Sequence, residues 1–346
     1  MGGPEADPLV AGLRKLGRYS RIERIASGGM GRIYRAFDSE TNRTVAIKIL
    51  APEARRNPQA IVRFREEVCA AARLRDTHVV TLYDSGEVGD TLFYVMEYVE
   101  GDTLGDFVEA NDPPLRRRVE LILAVARGVE AMHRADILHR DLKPENVLVS
   151  KQGVPIIIDL GVAKRVAATD RAVQTLAGTS IGTPLYMPPE QVRYDADRVG
   201  KPSDVYSLGV LSYQVLTGRY PYAAANRALG LGQERDASLE ADAVGILFAE
   251  ILDEPPIPPR SFLPDFPAGL ERVLLTALAK DPEDRHPDAG DFARALASWL
   301  RPTTGMRRAP PRVARTSGRR HLVGTTLALV AAAALGAGSV LLLRRR

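Results

Sequence analysis

The segment that most constrains this chain is residues 139–146, which read His-Arg-Asp-Leu-Lys-Pro-Glu-Asn. A carboxylate, two cations and an amide so close together are rarely required by folding alone. Asp141 can accept a hydroxyl proton or hold a hydroxyl in line, and Lys143 can neutralise a phosphoryl group in transfer. Asn146 and the later Asp159 offer the oxygen ligands that Mg²⁺ prefers. The pattern predicts a site for phosphoryl transfer.

The residues before this segment predict a sheet. Alternating apolar and polar residues indicate strands at 19–25, 32–37, 43–50, 79–86 and 92–97. Within the third strand, Ala46 and Lys48 share one face, so the lysine can reach a group held under the sheet. Asn57 and Pro58 are typical of a helix start.

After residue 101 the spacing of apolar residues becomes helical. It predicts an amphipathic helix at 115–134, a helix buried on nearly all sides at 204–217, and a last amphipathic helix that ends near Leu300. Residues 156–158 read as a short buried strand that holds Asp159 rigidly. We therefore expect an α+β fold, with a small β-rich lobe followed by a larger α-helical lobe.

The series of motifs resembles, in order, the eukaryotic-like serine/threonine protein kinases of bacteria across residues 19–300. One glycine-rich segment, Ala-Ser-Gly-Gly-Met-Gly at 26–31, would be a weak signal alone. The other matching motifs are Val-Ala-Ile-Lys at 45–48, Glu67 in the following helix, Met-Glu-Tyr at 96–98, the 139–146 segment, Asp-Leu-Gly at 159–161, Gly-Thr-Pro-Leu-Tyr-Met-Pro-Pro-Glu at 182–190, Ser-Asp-Val-Tyr-Ser-Leu-Gly at 203–209 and Lys-Asp-Pro-Glu-Asp-Arg at 280–285. The resemblance implies a bilobal protein kinase fold.

The resemblance also implies ATP and Mg²⁺ as ligands, with Mn²⁺ as an alternative metal. The residues that correspond to catalytic positions are Lys48, Glu67, Asp141, Lys143 and Thr183; Glu66 is the alternative partner of Lys48. The metal ligands would be Asn146 and Asp159. The nucleotide would contact Ile25, Ala26, Ser27, Gly28, Gly29, Met30, Gly31, Ile33, Ala46, Lys48, Met96, Glu97, Tyr98 and Leu148.

Further roles follow from the resemblance. Lys143, two residues after Asp141, is typical of kinases that act on Ser and Thr, so the partners would be proteins with such acceptors. Arg140 indicates control by a phosphate on the activation loop; the candidates are Thr175, Thr179 and Ser180, phosphorylated within a transient homodimer. Asp204 would brace the catalytic loop, and Glu190 and Arg285 would form a buried ion pair.

Three positions depart from the motifs without removing a charged catalytic group. They are Ala26 for the first loop glycine, Leu160 for phenylalanine, and Pro188 for alanine. An active kinase is therefore favoured over a weak or inactive kinase-like scaffold at the membrane.

The C-terminal part of the chain has a different composition. Residues 322–343 are uncharged and long enough for one transmembrane helix. Residues 301–346 hold ten Arg and no acidic residue, whereas the chain has 47 Lys and Arg against 43 Asp and Glu, so the body is mildly acidic. We expect the basic flank at 301–321 to keep the kinase domain on the cytoplasmic side of the inner membrane, and we expect no nucleic-acid partner.

The expected organisation is an N-terminal extension at 1–18, a kinase domain at 19–300 with lobes at 19–99 and 100–300, a basic linker at 301–321, a transmembrane helix at 322–343 and a basic tail at 344–346. With only three Arg after the helix, we expect an anchor rather than a connection to an external sensor. The single cysteine, Cys69, is expected to be a small packing residue.

Overall fold

The computed structural model of the chain describes residues 17–28, 31–50, 58–88, 91–159, 184–231 and 243–301. The chain divides into two units, Met1–Leu300 and Arg301–Arg346. Apart from Arg301, the predicted linker, transmembrane helix and tail lie outside the described residues. Among the helices that are described, none combines the length and apolar character needed to cross a membrane.

The small lobe is an antiparallel sheet with one helix. Its strands are β1 (Tyr19–Gly28), β2 (Gly31–Asp38), β3 (Arg43–Leu50), β4 (Leu82–Val88) and β5 (Thr91–Glu97), in the spatial order β1-β2-β3-β5-β4. Helix α1 (Pro58–Arg73) follows β3 in the chain.

The two faces of this sheet enter different apolar clusters. Val45 and Ile47 of β3 pack with Tyr34 and Val95 on one face, whereas Ala46 packs on the other face in the main core. The predicted alternation along β3 is confirmed, because its odd-numbered residues lie on one face of the sheet and its even-numbered residues lie on the other, as the two-residue period of a strand requires. Lys48 therefore lies on the face turned to the main core.

The prediction of a strand at 79–86 was wrong at its start. β4 begins at Leu82, whereas the preceding segment pairs with a strand of the large lobe: the Val80 N–H donates to the Ile157 carbonyl at 2.8 Å, and the Ile157 N–H donates to the His78 carbonyl at 2.9 Å. Gly128 makes room for this contact, since a Cβ there would lie 2.9 Å from the His78 carbonyl oxygen. The apolar pattern at 79–80 thus reports burial against the large lobe.

The expectation for Cys69 was also wrong. Its side chain is exposed on α1, while the nearby Val68 and Ala71 are buried. The 3–4 spacing of the buried pair leaves Cys69 on the other side.

The large lobe is mainly helical. Its helices are α2 (Leu104–Asn111), α3 (Leu115–Arg134), α4 (Pro189–Val192), α5 (Lys201–Thr217), α6 (Ala223–Ala228), α7 (Ala243–Asp253), α8 (Ala268–Ala277) and α9 (Ala289–Leu300). A small antiparallel sheet in the order β6-β7-β8 joins them, made of β6 (Gly101–Thr103), β7 (Val147–Ser150) and β8 (Pro155–Ile157). The bilobal α+β arrangement is confirmed; β6 and β7 were not predicted.

The helices at the centre of the lobe match their predictions. The expected inner stripe of α3, including Val119, Ile122 and Val129, is fully buried. α5 is buried on nearly all sides and ends at Gly218, whose φ of 71° is left-handed and therefore favours glycine. Gly209 lets α5 approach α8, because a Cβ there would lie 2.9 Å from the Ala277 Cβ.

An ion pair lies inside this lobe. Arg285 Nη1 donates to Glu190 Oε1 and Arg285 Nη2 donates to Glu190 Oε2, both at 2.8 Å. Both residues are almost completely buried. Burial alone would raise the pKa of Glu190, but Arg285 and the Ser203 hydroxyl outweigh it and lower that pKa. The predicted buried ion pair is confirmed.

Replacing Arg285 by Met should lower the free energy of unfolding by about 3–5 kcal/mol, because Glu190 would be left as an uncompensated buried carboxylate. Urea unfolding followed by circular dichroism measures this difference. The lowered pKa means that the Glu190 contribution in the wild type is present above the ordinary glutamate pKa of 4.5 and is lost as the pH falls further. In Arg285→Met the pH dependence should have the opposite sign: stability should rise as the pH falls, because protonation of Glu190 removes the unpaired buried charge.

The matched control is Arg198→Met, which breaks an exposed arginine–carboxylate pair with Asp281 at 2.7 Å. Solvent screens that pair, so its loss should change stability little. Equal effects of the two substitutions would contradict the assignment of a buried, structurally important pair.

Candidate active site

The segment at 139–146 is held in place by Asp204 of α5. One Asp204 carboxylate oxygen accepts the His139 backbone N–H at 2.8 Å and the other accepts the Arg140 backbone N–H at 2.7 Å. Arg140 has a φ of 62°, a conformation that a non-glycine residue keeps only when its surroundings fix it. The predicted bracing role of Asp204 is confirmed.

His133 completes this brace from α3. Its Nε2 lies 2.9 Å from an Asp204 carboxylate oxygen, while its Nδ1 accepts the Ala289 N–H at 3.4 Å, so Nε2 is the ring nitrogen left to donate. Burial would raise the pKa of Asp204, but the bonds from His133 and from the loop backbone outweigh burial and lower it. Asp204 therefore remains an ionised acceptor at neutral pH.

Asp141 lies at the centre of the segment and is 7% exposed. The Asn146 side-chain nitrogen donates to the Asp141 carbonyl at 2.7 Å and to its carboxylate at 3.3 Å. Lys143 Nζ is 3.6 Å from the same carboxylate. A turn at Pro144–Asn146 brings Asn146 back to Asp141. The arrangement offers a carboxylate to an incoming hydroxyl and a positive charge beside it.

Asp159 lies two residues after the end of β8 and faces the small lobe. The Ile158 N–H donates to the Asn146 carbonyl at 2.9 Å, which ties this strand end to the catalytic segment. Lys48 Nζ lies 2.6 Å from an Asp159 carboxylate oxygen. Burial would lower the pKa of Lys48, but Tyr94 and Asp159 outweigh burial and raise it, so the ammonium stays charged. The two lobes thus bring Lys48, Asp159, Asn146 and Asp141 to one place.

The predicted partner of Lys48 was Glu67. The side chain of Glu67 lies outside the described residues, so that prediction stays untested, and the partner described for Lys48 is Asp159. Glu66, the alternative, has an exposed side chain on α1.

The described members of the predicted nucleotide set lie in β1, β2, β3, β5 and β7, or directly after β5. Ala46 is the direct cross-strand partner of Met96, and Ile33 is the partner of Lys48. Ala26 is paired with Ile33, and Ile25 is 47% exposed. Of the remaining described members, Ser27 and Gly28 end β1, Gly31 begins β2, Glu97 ends β5, Tyr98 follows it, and Leu148 lies in β7. Their contacts with a nucleotide remain predictions.

Several predicted positions lie outside the described residues: Gly29, Met30, Leu160, Thr175, Thr179, Ser180 and Thr183. The acceptor-binding and phosphorylation roles assigned to them therefore remain predictions.

The site residues fit a magnesium ion by the chemistry of their donors. The side-chain nitrogen of Asn146 donates to Asp141, so the side-chain amide oxygen of Asn146 is the atom left for a cation. Asp159 adds a carboxylate. In the described part of the chain, no group of three or more His, Cys, Asp and Glu side chains is arranged to hold a metal. A cation held by Asn146 and Asp159 would take further ligands from water and phosphate oxygens, as Mg²⁺ commonly does.

Two residues of this site were missed in the sequence. His133 carries no motif of its own, and its link to Asp204 spans 71 positions. Tyr94 is buried beside Lys48; the signal available for it was its place two residues before Met96, on the same strand face.

Comparison with known proteins agrees with this geometry. Residues 19–287 match the family described as protein kinase domain. The serine/threonine-protein kinase PknB of Mycobacterium tuberculosis strain H37Rv is 34% identical over 284 residues, which cover 81% of this chain and 42% of that protein. The serine/threonine-protein kinase PknL of M. tuberculosis strain CDC 1551 is 37% identical over 300 residues, covering 85% of this chain and 69% of that protein.

The crystal structure of the M. tuberculosis PknI kinase domain has a TM-score of 0.60 to this chain at 25% sequence identity, and the match covers 81% of this chain and 96% of that one. The chain spans less than half of the length of the PknB relatives that it matches. The matched region covers the small lobe, the large lobe through residue 287 and every described residue of the site, and the chain therefore belongs to the protein kinase domain family.

Proposed function

We propose that this chain is a serine/threonine protein kinase, which transfers the γ-phosphate of ATP to Ser and Thr hydroxyls of proteins. The observation that carries the proposal is the convergence of two charged groups from different lobes, Lys48 and Asp159 at 2.6 Å, next to the Asp141 segment. PknB and PknL, the similar relatives, are named serine/threonine-protein kinases, which supports the acceptor class.

The described residues divide the work of phosphoryl transfer among them. Asp141 accepts the proton of the acceptor hydroxyl or orients that hydroxyl for in-line attack. Lys143, 3.6 Å from Asp141, offsets negative charge on the transferring group. Lys48 would bind the α- and β-phosphates, and Asn146 and Asp159 would hold Mg²⁺. When bound, the metal neutralises charge that develops on the phosphate oxygens.

The resemblance supplies the remaining roles in this proposal. Glu67 would pair with Lys48 once the nucleotide is bound, and Thr183 would shape the acceptor site beside Asp141 and Lys143. The adenine ring would be sandwiched by Ile25, Ile33, Ala46 and Leu148.

Replacing Asp141 by Asn should lower phosphate transfer to a generic basic protein by about 10²–10⁴-fold, because the amide cannot accept the hydroxyl proton. Transfer from γ-labelled ATP in the presence of Mg²⁺ measures the rate. The matched control is Asp136→Asn, an exposed carboxylate with a φ of 57° that asparagine also tolerates; its rate should be unchanged.

Equal transfer by the wild type and Asp141→Asn would reject the enzymatic function. The chain would then be better described as a kinase-like scaffold.

We further propose that the kinase phosphorylates its own activation loop within a transient homodimer. Arg140, next to Asp141, is the cation that would pair with the loop phosphate. After exposure to ATP and Mg²⁺, mass spectrometry should find phosphate on Thr179 first, then on Thr175 or Ser180. The initial rate per molecule should rise with protein concentration, as a bimolecular step requires.

Thr179→Ala should reduce transfer to a protein substrate, whereas Thr169→Ala, in the same segment, should not. Full activity of Thr179→Ala together with unchanged phosphate incorporation would contradict this part of the proposal.

We propose finally that residues 322–343 anchor the protein in the inner membrane, with the kinase domain in the cytoplasm. Support comes from 22 uncharged, mostly apolar residues after an arginine-rich flank. The full chain should stay in the membrane fraction at a salt concentration of about 1 M, because salt screens attachment by charge but does not extract an inserted helix. A chain ending at Arg301 should be soluble and keep its kinase activity.

The control is a full-length chain with Leu329→Arg and Leu335→Arg, which makes the segment too polar to insert. Release of the wild-type chain by salt would show attachment through the basic flank alone. Loss of activity in the chain ending at Arg301 would contradict a purely localising role.

A further inference from the structure

Tyr94 lies directly opposite the lysine of the site. β3 and β5 are antiparallel, and Lys48 and Tyr94 are register partners. Directly opposed residues on neighbouring strands point to the same face of the sheet. Two residues farther along, Ala46 and Met96 are partners on that same face, so Tyr94 stands beside Lys48 on the cleft side of the sheet.

The Tyr94 side chain interacts with the Lys48 side chain inside the protein. Lys48 is 4% exposed and Tyr94 is 2% exposed, and Tyr94 and Asp159 raise the pKa of Lys48 against the effect of burial. Burial raises the pKa of Tyr94 above its ordinary value, so the phenol is neutral at physiological pH. Because the ammonium has donors only, a hydrogen bond between the two would run from Lys48 to the phenol oxygen.

The ring and the hydroxyl of Tyr94 have different surroundings. The ring belongs to the buried apolar cluster that contains Ala46, Met96 and Val68 of α1, and a phenylalanine would fill the same space. A hydroxyl that is buried without a partner is costly, so its role here depends on what it contacts. Its cross-strand neighbour is Lys48, whose amine faces Asp159.

We propose that Tyr94 is a positioning residue for Lys48 and directs its ammonium toward the nucleotide phosphates. The inference rests on the proposed kinase function and adds a residue to it. An ammonium has three N–H donors. Asp159 accepts one of them at 2.6 Å, and in this proposal the Tyr94 hydroxyl, held opposite Lys48 by the strand register, accepts another. The position of the amine is thus set by the sheet itself, and Tyr94 acts through Lys48 without touching the nucleotide.

The test compares two ligands that differ only in their phosphates. Isothermal titration of the full-length protein in detergent, with Mg²⁺ present, would give the Kd of ADP and of adenosine. Tyr94→Phe should weaken ADP binding about tenfold, the size expected for one lost hydrogen bond to a charged group. Adenosine lacks the phosphates that Lys48 binds, so its Kd should stay the same.

A matched control and a second variant separate positioning from general stability. Tyr34→Phe removes a hydroxyl from a residue equally buried in the same sheet, but in the cluster on the opposite face; it should leave both Kd values unchanged. Tyr94→Met, which also lacks the hydroxyl and fills most of the space, should repeat the selective loss of ADP affinity.

A Lys48→Met background tests whether Tyr94 acts through the lysine. There, Tyr94→Phe should cause no further loss of ADP affinity. A further loss in that background, or an equal loss of ADP and adenosine affinity in the Tyr94 variants, would overturn the positioning role.

Unchanged ADP affinity in Tyr94→Phe, with normal binding by the wild type, would overturn this inference alone. A wild-type protein that bound neither ligand would instead overturn the proposed kinase function on which the inference rests.

Discussion

The rest of the site depends on one buried carboxylate, that of Asp204 at the start of the most buried helix. It accepts two consecutive backbone N–H groups of the catalytic segment, at 2.8 and 2.7 Å, and so imposes the left-handed conformation of Arg140. That conformation turns the chain so that Asp141 faces the cleft. The Asn146 amide and the Ile158 N–H then continue the network to Asp159, and Asp159 reaches Lys48. Each group is positioned by the one before it.

Charge explains why this network is stable inside the protein. An isolated buried carboxylate would take up a proton, but Asp204 and Glu190 each have strong donors that lower their pKa values despite burial. Donors from His133, the loop backbone, Ser203 and Arg285 thus allow ionised groups to anchor the large lobe. The same logic holds at the cleft, where Asp159 and Tyr94 together keep the Lys48 ammonium charged.

Much of this arrangement could be predicted from the sequence, and the failures have physical reasons. Local periodicity predicted α3 and β3 with their bounds, because one face of each is buried and spacing reports burial. The motifs predicted the pairing of Glu190 with Arg285, 95 positions apart. The strand at 79–86 was misplaced because burial at 79–80 comes from β8, a contact that periodicity cannot distinguish from sheet pairing. Tyr94 was missed because the one signal for it was its place on the same strand face as Met96, whereas its pairing with Lys48 depends on the cross-strand register, which no local pattern encodes.

The backbone clasp between His78, Val80 and Ile157 has a mechanical consequence. It fastens the segment that leaves α1 to the strand that precedes Asp159, and the chain crosses between the lobes a second time after β5. A rotation of the small lobe that kept these hydrogen bonds would have to pivot at the two crossings. Asp159 is two residues from Ile157, so the clasp keeps the charged floor of the cleft close to that pivot.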